Sequence, residues 1–167
     1  MRSSSVRLAP TVHGQGDARG FISILIGIAR ENGVSAYAGD GSNRWPAVHR
    51  LDAATLFRLA LESAPAGTGL HAVAEEEVPF RDIAEAIGRR LELPAVSLTA
   101  EEASRHFGFL APLVSTDSPT SSALTRERLG WLPTHPGLIA DIEEGHYFSQ
   151  LVFGAGRNGV DSVGSHR

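Results

Sequence analysis

Residues 7–20 read Arg7-Leu-Ala-Pro-Thr-Val-His-Gly-Gln-Gly-Asp-Ala-Arg-Gly20. A short extended segment runs into glycines 14, 16 and 20, and Phe21, Ile22, Leu25, Ile26, Ile28 and Ala29 then recur at helical spacing. Strand, glycine-rich turn and helix in that order open an α/β unit. The run Gly14-x-Gly16-x-x-x-Gly20, with Asp40 further on, is close to the dinucleotide fingerprint, whose glycines let a pyrophosphate reach a helix N-terminus. Two features oppose that reading. Arg7, Pro10 and His13 interrupt the preceding segment, unlike the continuously apolar first strand of a Rossmann unit, and Asp40 lies inside a Gly39-Asp40-Gly41 turn. The run is therefore read as a tight turn into a helix.

Outward from this stretch, Asp17 is available as a cap and Asn32-Gly33 stops the first helix. A strand is expected over Val34 to Tyr37, a turn over Gly39 to Asn43, and an extended segment from Trp45 to His49. Asp52 is expected to cap a helix carrying Leu56, Phe57, Ala60 and Leu61 and closed by Pro65. A strand from Gly69 to Ala74 leads to Glu75-Glu76-Glu77, read as a solvated loop. Pro79 is placed at the first position of a helix with Ile83, Ala84, Ile87 and Leu91 on one face. Ala95 to Leu98 reads as a strand, and Thr99-Ala-Glu-Glu102 as a capping box whose helix ends near Gly108. A helix through Leu124 and Leu129 stops at Gly130. Pro136 starts the last helix, with Leu138, Ile139, Ile142 and Tyr147, and Trp131 plugs the core of that final pair. Strands alternating with helices predict an α/β chain, or α+β as a fragment. One domain is expected over residues 1–150, followed by a frayed Gly/Ser-rich tail over 151–167.

Composition narrows the chemistry. The chain has 167 residues, 42% hydrophobic and 20% charged, with a mean hydropathy of -0.06. With 15 basic against 19 acidic residues the net charge is -4 and the pI near 5.9, which predicts no nucleic-acid partner. No apolar run reaches the roughly 20 residues of a bilayer span, and the first residues have no apolar signal core, so a cytoplasmic protein is expected. Cysteine does not occur, which removes disulfides, thiolate nucleophiles and cysteine-bound metals. Lysine does not occur either, and this removes a Walker A loop, a Schiff-base lysine and any Tyr-x-x-x-Lys pair.

Among single residues, Arg44 ends a glycine-rich turn beside Trp45, where a guanidinium can pair with phosphate or carboxylate, or stack on the indole. His49, Asp52 and Ser42 form the one trio that a small hydrolase would need, without the Gly-x-Ser-x-Gly elbow. The ordinary alternative makes Asp52 a cap and His49 a half-buried neighbour. The seven histidines show no His-x-x-x-His spacing, so no metal site is expected. Tyr37 and Tyr147 have no lysine to lower their pKa.

Taken in order, four blocks resemble the extended short-chain dehydrogenase/reductase family of NAD-dependent epimerase/dehydratase type. Arg7-Leu-Ala-Pro-Thr-Val-His-Gly14 resembles its R-x-x-x-V-Y-G segment, and Asn43-Arg-Trp-Pro-Ala-Val-His-Arg-Leu-Asp-Ala53 its R-x-x-x-V-H-V-x-D-x-A block. The segment from Val78 to Leu91 is similar to the family's helix start with Ile-Ala, and Arg128-Leu-Gly-Trp-Leu-Pro133 to its Leu-Gly-Trp-x-Pro turn. The resemblance spans Val6 to Phe148 and implies the C-terminal part of a Rossmann-type fold with a small substrate-binding subdomain, without the N-terminal Rossmann strands.

It further implies NAD or NADP in the intact family member and no cofactor for this chain alone, because the glycine-rich cofactor loop and the Tyr-x-x-x-Lys pair belong to the other half. Pro10, Thr11, Val12 and His13 would line the cofactor, Arg44 would face a small hydroxy, keto or sugar-type substrate, and His49 would flank it in a structural role. No catalytic residue is assigned. Expected partners are the small-molecule substrate and a separate Rossmann half or a second copy, since a strand over Val6 to Val12 would present an unpaired edge. The alternative is a non-catalytic binding or sensor module that docks on another chain.

Overall fold

The computed structural model describes residues 3–149. Three small sheets carry the chain. β1 (Ser5–Leu8) pairs in parallel with β5 (Gly69–Ala72), Ser5 opposite Gly69 and Leu8 opposite Ala72. β4 (Arg44–His49) is the centre of the second sheet, parallel to β2 (Thr11–His13) and antiparallel to β6 (Glu75–Pro79). β3 (Ser35–Ala38) pairs in parallel with β7 (Ala95–Leu98). Around them pack α1 (Phe21–Asn32), α2 (Arg50–Ser63), α3 (Phe80–Leu91), α4 (Ala100–Phe107), α5 (Ala111–Val114), α6 (Ala123–Leu129), α7 (Leu138–Glu144) and α8 (His146–Ser149). The mixed α/β class is as expected. The tail over 151–167 lies outside the described residues. None of the described helices is long and apolar enough to cross a membrane.

The expected strand over Val6 to Val12 is two strands. Ala9 N–H still donates to the Ala72 carbonyl at 3.2 Å, but Pro10 has no N–H to continue the ladder, and beyond it the chain changes partner from β5 to β4. Each piece is paired on one side, β1 to β5 and β2 to β4, and has no strand on its other side among the described residues. Ser35 to Ala38 and Ala95 to Leu98 stand where strands were expected, and Thr99 makes its capping box with Glu102.

Four local readings are corrected. Glu75-Glu76-Glu77 begins β6 instead of forming a solvated loop, because each carboxylate has a fixed partner. Glu75 accepts from Leu138 N–H at 2.6 Å, Glu76 from Ser122 N–H at 2.7 Å, and Glu77 pairs with Arg44 at 3.2 Å. Pro79 ends that strand and precedes the first turn of α3. Asp52 does not cap α2; His49 does, its ring nitrogen accepting from Leu51 N–H at 3.2 Å. The last helix breaks at Gly145, whose φ of 86° is left-handed, so Tyr147 belongs to a separate turn of helix.

Two main cores result. The larger joins α1, α3, α4 and α7 through Ile22, Ile26, Phe80, Ile83, Ile87 and Ile142. Trp45 lies within it, stacked on Phe21 at 4.6 Å and edge-on to Phe80 at 5.7 Å, with its indole N–H donating to the Thr11 hydroxyl at 2.7 Å. The smaller core sets Trp131 against Val48, Ala53 and Leu56, so this tryptophan seals α2 to its sheet and does not plug the last helix pair. Its indole N–H donates to the Asp52 carbonyl at 2.9 Å. Replacing Trp131 with Ala is expected to cost about 3–5 kcal/mol, read as a lower midpoint in urea unfolding, since a fully buried indole leaves a cavity.

Candidate functional site

The sheet register brings two predicted residues together. His13 on β2 lies opposite His49 on β4, their rings edge to face at 5.4 Å. His49 in turn stacks on His135 at 4.7 Å with 5° between the planes. At one end of this row of imidazoles stands Asp141, at the other Asp52, both buried. His13 Nδ1 is 2.9 Å from Asp141 Oδ2, and His135 Nδ1 is 2.8 Å from Asp52 Oδ1. Asp52 also accepts from Thr134 and His135 backbone N–H at 3.0 and 3.1 Å. It thereby pins the loop entering α7 to the first turn of α2.

Asp141 collects a second set of contacts. The Tyr147 hydroxyl accepts from Gly14 N–H at 3.1 Å and lies 3.3 Å from Asp141 Oδ2, to which it donates. His146 Nδ1 is 3.9 Å from Asp141 Oδ1. Burial works to raise both aspartate carboxyls, but the histidine bonds and, for Asp52, the backbone donors outweigh it and hold both below the usual range. Burial lowers the His49 pKa, helped by the neighbouring His13. Burial likewise pushes the Tyr147 phenol upward, so it is not a phenolate base at neutral pH.

The other predicted residues fall elsewhere. Thr11 receives the Trp45 indole bond, Val12 packs against the smaller core, and Pro10 stands exposed between β1 and β2. Arg44 sits at the opposite end of β4 from His49, five residues or roughly 16 Å along the strand. It is neither stacked on Trp45 nor left bare. Its guanidinium makes two bonds to Asp117, at 2.9 and 2.7 Å, and one to Glu77. The Arg44 bonds hold the Asp117 carboxyl down to about 2. The hydrolase trio does not assemble: Ser42 donates to Asp40 at 2.7 Å, His49 caps α2, and Asp52 faces His135.

The glycine run turns the chain into α1, as read. Gly14 and Gly16 have φ of 137° and 91°, and the Arg50 side chain lies across both: a Cβ on Gly14 would meet His49 Nε2 at 2.9 Å. At the start of α1 the Asp17 carboxylate already takes the Gly20 N–H, at 2.6 Å. A pyrophosphate would have to displace it, so these residues do not fit a dinucleotide.

Asp141, His135, His146 and the role of Tyr147 were not read from the sequence. For Asp141 a signal existed. It stands three residues after Leu138 and beside Ile142, hence on the buried face of its helix, where a carboxylate demands partners. Nothing local marks His135.

No family model matches the chain. It is 55% identical over 148 residues to an uncharacterized protein of Schizosaccharomyces pombe, covering 89% of this chain and 50% of that one. It is 50% identical over 137 residues to one of Saccharomyces cerevisiae, covering 82% and 46%. The chain thus spans about half the length of the curated relatives it matches. In backbone it is similar to RMD from Pseudomonas aeruginosa complexed with NADPH, at TM-score 0.59 and 15% identity over 89% of this chain and 49% of that one. A dTDP-glucose 4,6-dehydratase from Streptomyces venezuelae with NAD bound gives 0.64 and 14%, over 89% and 44%. An epimerase from Methanothermobacter thermautotrophicus gives 0.64 and 16%, over 86% and 42%. The chain has the fold of about half of such an enzyme.

The imidazole row sets an acid limit. The depressed His49 favours the neutral ring in the folded state, so stability falls as pH drops below its ordinary 6.5. The depressed Asp52 and Asp141 contribute stability above 3.8 that is lost as pH falls through their lower folded values. Urea midpoints measured from pH 8 to 3 should decline in these two stages. His49→Asn, which retains a capping oxygen, should shrink the upper stage, to which the half-buried His106 ring also contributes, and leave the lower.

Proposed function

We propose that this chain is the substrate-binding portion of an NAD(P)-dependent oxidoreductase or epimerase acting on a small hydroxy, keto or sugar-type substrate. In this reading residues 1–150 correspond to the C-terminal half of an extended short-chain dehydrogenase/reductase. The cofactor loop and the Tyr-x-x-x-Lys pair come from a companion Rossmann half. The observation that carries it is the fold likeness to NAD(P)-bound enzymes over 89% of this chain, matched to less than half of theirs.

The surface supports such a companion. Among the described residues β1 is paired only on its β5 side, and beside it α2 turns Ala54, Phe57 and Leu61 outward in one stripe, with Leu61 81% exposed. Leu8 on β1 is itself nearly half exposed. A parallel strand added to β1 and a helix laid on this stripe would cover both. Pro10, Thr11, Val12 and His13 then form the wall facing the nicotinamide. Arg44 exchanges Asp117 or Glu77 for a substrate phosphate, and His49 backs the wall through His13.

The test is an NADH fluorescence titration with size exclusion on the same sample. The chain alone should show no binding up to millimolar and should self-associate or melt at low temperature. Mixed with the part of the Saccharomyces cerevisiae relative that this chain does not match, it should form a stable complex that binds NADH. Phe57→Glu with Leu61→Glu should abolish the complex while leaving the isolated fold intact. Micromolar binding by the chain alone, or a sharp, concentration-independent melt of a monomer, would sink the proposal.

A further inference from the structure

Three buried side-chain nitrogen or oxygen atoms among the described residues have no hydrogen-bond partner: His13 Nε2, Asp17 Oδ2 and His146 Nε2. All three belong to the polar neighbourhood of Tyr147. His13 shares the Asp141 oxygen with the Tyr147 hydroxyl, the His146 ring lies 4.2 Å from the Tyr147 ring, and Asp17 N–H donates to the carbonyl of Gly14, whose own N–H reaches the Tyr147 hydroxyl. A buried polar group left unmatched costs about 1–3 kcal/mol, so three in one neighbourhood call for a physical cause.

The chemistry of the orphans is specific. Because the ionised Asp141 only accepts, a neutral His13 ring carries its proton on Nδ1 and leaves Nε2 as an acceptor in a side chain that is 1% exposed. Asp17 Oδ2 is a second acceptor. Such a pair is matched by a group that donates, and a hydroxyl does so without bringing a charge into the interior. The residues whose ligand atoms converge are Asp141, Glu144 and His146, which take in the third orphan but neither His13 nor Asp17, so a cation there would leave this pair unmatched.

We propose that His13, oriented by Asp141, is the acceptor of a buried hydroxyl-binding subsite beneath the Gly14–Gly20 segment, with Asp17 and His146 as its other polar walls. The subsite rests on the substrate-binding reading above and deepens it. Ligands enter by displacement of the segment itself. Its backbone is held by Asp17 N–H to the Gly14 carbonyl, by the Ser23 hydroxyl on the Asp17 carbonyl, and, outside this loop and α1, by Gly14 N–H to Tyr147. Arg50 packs across it without an ion pair among the described residues. A ligand without the hydroxyl leaves His13 as unmatched as before, so the subsite selects for the group it binds.

The test uses the full chain labelled with ¹⁵N and follows histidine side-chain nitrogens by NMR while glycerol, and separately glucose, is added. His13 should report the Nδ1-protonated tautomer, and its Nε2 resonance should move saturably, with His71 and His106 unmoved. Asp141→Asn should weaken the saturable shift about tenfold or more. Should that variant fail to fold, the contrast between His13 and the two remote histidines in the unaltered chain decides alone. Absence of a saturable shift with both polyols, or equal shifts at His71 and His106, overturns the subsite and leaves buried water as the partner of these atoms. Polyol binding needs no cofactor half. Saturation here with no NADH complex would fail the oxidoreductase reading alone, and an NADH complex without saturation would fail the subsite alone.

Discussion

A carboxylate removed from water has to be met by donors, and in this chain two of them, Asp52 and Asp141, set where distant segments lie. Asp52 draws Thr134 and His135 onto the start of α2, and Asp141 draws His13 and Tyr147 onto α7 and α8. Each bond spans more than 80 residues of sequence, apart from the one to Tyr147. Together they fix the loop entering α7, the end of β2 and the turn after it. Breaking one of these pairs would leave a charge stranded in the interior, and removal of one partner of a buried pair generally costs about 3–5 kcal/mol.

β4 links these clamps to the rest of the molecule. Trp45 and Ala47 belong to the larger core and Val48 to the smaller, so one strand is shared by both. Its first residue, Arg44, is neutralised by Asp117 and Glu77. Its last, His49, ends the strand, starts α2 and stands between His13 and His135. The arginine and the histidine predicted to serve one substrate are therefore separated by the length of the strand. A substrate reaching both would have to be extended.

Some of this was legible in advance. The apolar spacing of Ile22, Leu25, Ile26 and Ala29 gave α1 its buried face, and the Thr99/Glu102 pair gave α4 its start. Both signals are local, with every participating residue within two turns. Glu75-Glu76-Glu77 misled because three adjacent carboxylates look solvated until Leu138, Ser122 and Arg44 arrive from elsewhere in the chain. Asp52 misled for the same reason: a carboxylate near a helix start has a local use as a cap, and here a remote loop outcompetes it.

The sequence by itself determined the α/β class, most of the helices and strands, and the chemistry that is out of reach, since a chain with neither lysine nor cysteine cannot supply their nucleophiles or pairs. It also marked Arg7 to Gly14 and Asn43 to Ala53 as two blocks of one family pattern through a resemblance of motifs. Only the tertiary structure decided that His13 meets Asp141, that His49 stands between two other imidazoles, and that the glycine run is closed by Asp17 and Arg50. Periodicity reports which face of an element is buried. It does not report which distant polar group will be buried against it, and the site is made of those pairings.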